Sequence, residues 1–319
     1  MAGSGTARKL GGFGAALAVL FAAAYGVGQL VGPVAAEPEP EAAEHEGMGG
    51  GETSGETGGH GGHGDTGTGH DGGHESDAAS VPAGLMVTAD GLTLDVLSDS
   101  VPAGVRTEFA FRVLDHHGEP VTGFAPTHDK LMHLVVARRD LSGFQHVHPT
   151  MAADGTWRVP LTFTAAGGYR VFADFLPAGR DEGTTLGADV AVSGAFLPTP
   201  LPEPALTAET GDYRVTLSGK LVPGSTSKLV LTIEKGGVPV TDLQPYLAAY
   251  GHLVALRQGD LAYLHVHPDE AGGPGPSIAF HAEVPSVGTY RLYLDFQHGD
   301  VVRTAEFTAE ANAEPHGEK

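Results

Sequence analysis

The sequence predicts an all-β chain carrying two tandem β-sandwich domains, and three observations lead there. Short runs alternate apolar and polar residues, as in Leu92-Thr93-Leu94-Asp95-Val96 and Phe109-Ala110-Phe111-Arg112-Val113, with Gly, Pro and Asp between them. Beyond Pro82 no stretch sustains an apolar stripe at helical spacing, and the intervals between extended runs are too short for crossover helices. An internal repeat then doubles the pattern. Pro120-Val121-Thr122, His133-Leu134-Val135 and His146-Val147-His148-Pro149 return 119 residues later as Pro239-Val240-Thr241, His252-Leu253-Val254 and His265-Val266-His267-Pro268.

Taken in order, the chain opens with Arg8 and Lys9 before an uncharged run from Leu10 to Ala36, the layout of a membrane-targeting segment. Residues 1–36 are expected to form a transmembrane helix or a signal segment; Val34-Ala35-Ala36 suits cleavage, whereas the length of the run suits an anchor. Either way the remainder is placed outside the cytoplasm, on the membrane or secreted. Residues 37–81 hold almost no large apolar side chain and are expected to be a disordered, acidic Gly/His-rich tether, because such a composition cannot offset the entropy of ordering. His45, His60, His63, His70 and His74 lie in it, suited either to loose metal capture or to nothing specific.

Residues 82–197 form the first expected sandwich and 205–309 the second, joined by a Pro-rich linker over 198–204 and followed by a disordered tail over 310–319. Each copy has the size of an immunoglobulin-like or cupredoxin-like β-sandwich, between which the sequence does not choose. The last shared strand, Gly168 to Phe175, returns as Gly288 to Phe296 with Thr289 inserted. Period-two alternation puts Tyr169, Val171 and Ala173 on one face and Arg170, Phe172 and Asp174 on a second, polar-looking face. Asp174 and Asp295 are expected at a turn or strand end.

Composition narrows the function. Eighteen basic against 39 acidic residues give a net charge of −21, which opposes binding to nucleic acid. The absence of Cys excludes disulfides, thiolate metal sites and blue-copper centres, so chemistry has to be sought among the 17 His. On a strand, His146 and His148 leave one face with Val147 turned to the other, and His265 and His267 repeat this. His133 and His252 each open the neighbouring run. If the runs pair, the lone imidazole sits across from the His-x-His pair and three nitrogens come within reach of a zinc or copper ion. The candidate metal ligands are therefore His133, His146 and His148 in one copy and His252, His265 and His267 in the other. Met132, Met151, His128, His281 and His298 are secondary candidates. The competing reading makes the repeated histidines architectural, shaping a loop through hydrogen bonds.

The exported segment, acidic His-rich tether and His-Val-His-Pro modules together resemble secreted or membrane-anchored proteins of actinobacteria. Over residues 107–177 and 226–298 the modules also look like small extracytoplasmic copper-handling domains, which implies copper slightly ahead of zinc. No His-Glu-x-x-His helix, Gly-x-Ser-x-Gly elbow or phosphate-cradling glycine loop points to catalysis. The expectation is a non-enzymatic binder or buffer of copper or zinc ion. The alternative is a module that presents a surface to another cell-envelope protein.

Overall fold

The computed structural model describes residues 81–98, 100–264, 266–269 and 272–313. The expected anchor, the tether with its histidines up to residue 80, His265, and the tail from 314 lie outside the described residues. Among the described residues all regular structure is strand, and no helix is long and apolar enough to cross a membrane.

The first copy contains β1 (Thr88–Ala89), β2 (Leu92–Val96), β3 (Ser100–Pro102), β4 (Arg106–Leu114), β5 (Phe124–Ala125), β6 (His133–Arg138), β7 (Gln145–Val147), β8 (Thr150–Met151), β9 (Trp157–Thr162), β10 (Gly167–Pro177) and β11 (Thr184–Ser193). One sheet runs β1-β2-β4-β9-β8 and the other β3-β11-β10-β6-β7, with β5 added to the end of β10. Pairing is antiparallel except where β3 lies parallel to β11. Phe109, Phe111, Trp157, Leu134, Val136, Val171 and Ala173 fill the space between the sheets, as alternation along each strand requires.

The second copy contains β12 (Thr207–Thr210), β13 (Tyr213–Ser218), β14 (Ser225–Lys235), β15 (Val238–Pro239), β16 (His252–Arg257), β17 (Val266–Pro268), β18 (Ser277–Val284), β19 (Gly288–His298) and β20 (Val301–Ala311). Its sheets run β12-β13-β14-β18-β17, with β15 on β14, and β16-β19-β20. The last strand ends at Ala311, two residues beyond the boundary read from the sequence. Val215, Leu231, Phe280, Leu253, Ala255, Leu292 and Leu294 form its core.

The two copies pack against each other, and this overturns the reading of the second strand face as a polar one. Every residue of β6 is buried, because Leu134 and Val136 face the sandwich interior while Val135 and Ala137 face the other copy. A third apolar cluster lies there: Val135, Ala137, Leu141 and Phe172 meet Val254, Leu256, Leu261 and Tyr293. The contacts are reciprocal under the repeat, as in an isologous dimer interface. Phe144 stacks on Tyr293 at 3.9 Å with the rings 5° from parallel, and the matched pair, Tyr263 and Phe172, lies at 5.6 Å. Tyr293 also donates its hydroxyl to Leu141 O at 2.5 Å.

Two flanking segments are tied to this seam. Tyr263 N donates to Ala83 O, while Arg170 of the first copy donates to Gly84 O and Leu85 O, so the strand lead-in touches both copies. A Cβ on Gly187 would lie 2.0 Å from Gly84 O, which is why only glycine lets that backbone approach. In the linker, Thr199 bonds to Asp140 and Arg138, and Leu201 packs on the seam.

Candidate metal centre

The site grows from the edge of the seam. β7 pairs with β6 in the register Leu134↔Val147 and Val135↔His146, so His146 shares a face with His133 and Val135, and continuing that register sets His148 opposite His133. This is the arrangement the His-x-His spacing implies. One ring nitrogen from each of His133, His146 and His148 lies within 4.8 Å of the others. Ring centroids are 5.4 Å apart for His133 and His146, 4.9 Å for His133 and His148, and 4.9 Å for His146 and His148.

Hydrogen bonds decide which nitrogens are available. A carbonyl only accepts, so His133 Nε2, 3.0 Å from Thr127 O, carries the proton and Nδ1 is left with a lone pair. His146 donates from Nδ1 to Asp295 Oδ2 at 2.9 Å, leaving Nε2 bare. These two bare nitrogens face each other at 3.2 Å. Two lone pairs at that distance repel unless a cation or a shared proton lies between them. His148 Nε2 is buried with no hydrogen-bond partner.

Burial disfavours the charged form of His133 and His148. Desolvation pushes His133 down to about 4, against the opposing pull of its bond to Thr127 O, and His148 down to about 3. Both are therefore neutral near pH 7, the state a metal requires of imidazole.

The acceptor for His133 is held by a tight turn in which His128 and Asp129 take positive φ of 48° and 63° and Thr127 pairs with Lys130. The second copy rebuilds it: Leu247 and Ala248 take 56° and 62°, Tyr246 pairs with Ala249, and His252 Nε2 donates to Tyr246 O at 2.7 Å. The same left-handed pair is present in both copies at the carbonyl that orients the histidine, and in the second copy Leu247 and Ala248 hold it as strained backbone.

The strand that carries His267 in the second copy pairs differently from β7. β17 pairs with β18, not with β16, and sets His267 opposite His281 with its side chain exposed. The segment does bridge to β16 at Leu256↔Tyr263, as the first copy would lead one to expect, but it has crossed to the other sheet by Val266. In the first copy the crossing comes only after His148, between β7 and β8. His252 and His267 therefore stand on strands of different sheets, and His265, the third residue of the expected set, lies outside the described residues. His252 instead turns to the first site, with its ring 6.2 Å from His146 and 5.3 Å from His128.

Other expectations are corrected by position. Asp174 and Asp295 sit within long strands, opposite His133 and His252 respectively, and not at turns. Asp295 is buried and bridges Thr304 to His146 of the other copy, a partner no local pattern announced. Met132 is buried in the first core, turned away from His133, and Met151 lies opposite Trp157. His298 bonds to Tyr213 and Asp242 at the far end of β19.

The fold and the cluster define a tandem β-sandwich protein with three convergent imidazoles at the junction of its copies. The profile of one family, described as Domain of unknown function (DUF8832), matches residues 87–192 and 208–313, and the chain belongs to that family in two copies. No curated protein matches. Among solved structures, a DUF4426 family protein from Pseudomonas aeruginosa PAO1 is 11% identical, with 34% of this chain and 98% of that one covered and a TM-score of 0.27. The Escherichia coli adhesin FdeC is 16% identical, with 71% and 65% covered and a TM-score of 0.24. Invasin, a bacterial integrin-binding protein, is 16% identical, with 70% and 39% covered and a TM-score of 0.21.

Proposed function

We propose that the protein binds a copper or zinc ion through His133, His146 and His148, as a binding or buffering module held outside the cytoplasm by its amino-terminal segment. The observation that carries this reading is the 3.2 Å approach of His133 Nδ1 and His146 Nε2, each bare because its sister nitrogen is committed elsewhere. Two metal–nitrogen bonds of about 2.0 Å at the tetrahedral angle put their nitrogens about 3.3 Å apart and their ring centroids about 5 Å apart. The three rings, at 4.9–5.4 Å, already meet the second spacing. Thr127 O and Asp295 supply the outer hydrogen bonds that fix tautomer and orientation in histidine metal sites.

A set of imidazoles without thiolate suits copper and zinc, the two ions proposed. Titrating the full chain with Zn(II) and Cu(II) against a competing chelator tests the reading, because weak capture by tether histidines is then suppressed. One tightly held ion is expected in the wild type, lost in His146→Ala and His133→Ala. Tight uptake unchanged in both variants would remove these residues from the site and leave them an architectural role.

A further inference from the structure

The second copy also brings an imidazole to this rim. His252 begins β16 as His133 begins β6, and each gives its Nε2–H to the first carbonyl of the same strained turn, Tyr246 O or Thr127 O. Each therefore presents Nδ1 as its bare nitrogen. His252 lies on the strand face of Val254 and Leu256, which meets the first copy, and directly opposite Asp295, which already grips His146. Its ring stands 5.3 Å from that of His128 and 6.2 Å from that of His146, the latter about 1 Å more than rings sharing a tetrahedral ion need, so it lies just outside the 4.8 Å cluster and would have to close on it as the ion binds. Tyr246 of the second copy, 6.2 Å from His148 and 5.8 Å from His252, walls the space between them.

We infer that the two copies build one composite centre in which His252 supplies the fourth nitrogen to the ion held by His133, His146 and His148. The inference rests on the metal-binding reading above and adds its stoichiometry, its coordination number and its dependence on both copies. The repeat, read as sequence, presents two three-histidine sites; in the fold His252 and His267 lie on strands of different sheets, His252 toward its neighbour's site and His267 at the surface. A four-imidazole set without thiolate fits Zn(II) in a closed tetrahedron or Cu(II) in a flattened one. The ion would then clamp the rim of the seam, and its binding free energy would add to the docking of the two copies.

Co(II), the spectroscopic stand-in for zinc, tests this on the full chain, since tetrahedral sites absorb far more strongly in the visible than octahedral ones. One equivalent is expected to develop the intense bands in the wild type. His252→Ala should lower Co(II) and Zn(II) affinity at least about tenfold and weaken the bands, while His267→Ala leaves both unchanged. His252→Gln, with its far-ultraviolet circular dichroism compared to wild type, separates ligand loss from misfolding. In Cu(II)-loaded protein, the nitrogen superhyperfine pattern should lose one nucleus in the His252 variants. Bands and affinity unchanged in His252→Ala but lost in His146→Ala would overturn the inference and leave the three-histidine site standing. Two equivalents with intense bands, one of them removed by His252→Ala, would overturn it as well. A wild type that takes up no ion tightly would sink the metal reading and this inference together.

Discussion

His146 and Asp295 stand 149 residues apart in the chain, in different copies of the repeat, and share a hydrogen bond of 2.9 Å with both side chains buried. The carboxylate holds the imidazole in the tautomer that bares Nε2 toward His133. Asp295→Asn keeps an acceptor of the same shape but removes the charge that stabilises a metal-bound ring. We expect affinity for Zn(II) to fall about 10- to 100-fold with secondary structure unchanged, as measured by chelator competition. Asp189→Asn, on the exposed surface, serves as the control and should leave affinity alone.

Acid should loosen the metal-free fold in a defined window. His133 and His252 are pushed down to about 4, and His148 to about 3, chiefly by burial, while an unfolded chain titrates them near 6.5. Between those values the unfolded state holds more protons, so stability falls as pH drops from about 6.5 toward 4 and is flat above 7. Each well-buried ring contributes at most about 1.4 kcal/mol per pH unit there, and His148, more accessible, contributes less because solvent screens it. The urea midpoint of the apo protein should be clearly lower at pH 5 than at pH 7; equal midpoints would contradict the assignment.

The seam should hold the copies in a single cooperative unit. Tyr293→Ala removes the stack on Phe144 and the bond to Leu141 O, at a cost of about 3–5 kcal/mol for a buried aromatic. Tyr293→Phe removes only the hydroxyl, at about 1 kcal/mol. Calorimetry is expected to resolve two transitions in the alanine variant and one in both wild type and phenylalanine variant.

Gly187 offers a test at the other side of the seam. A methyl group there would collide with Gly84 O and sit 2.8 Å from Arg170 Nε. Gly187→Ala should release the lead-in around residues 83–86 from both copies, so limited proteolysis would cut it in the variant and spare it in the wild type.

The sandwich class, the repeat and the first cluster were legible because all three depend on short-range pattern: alternation, turn residues and a His-x-His pair beside a lone His. The face carrying Arg170, Phe172 and Asp174 misled, since a mixed polar composition ordinarily marks solvent, whereas here Arg170 is buried by backbone carbonyls and Phe172 by the other copy. A signal for it did exist. His133-Leu134-Val135-Val136-Ala137 lacks alternation, and such runs mark strands covered on both sides. The different pairing of the two His-x-His segments was not legible, because the point at which each changes sheets depends on long-range pairing with β9 or β18. Asp295 was out of reach for the same reason, being a partner chosen by docking.

The reciprocity of the seam carries a last consequence. Because each copy offers the same patch, one copy set beside its duplicate would make every one of these contacts twice and be a symmetric pair. Covalent fusion removes the demand that both halves stay alike. One half carries Met132 where the other carries Gly251, and one holds His146 and His148 at the junction while the other turns His267 outward. Duplication here has made a molecule whose halves share a fold and a seam but present different side chains at their junction.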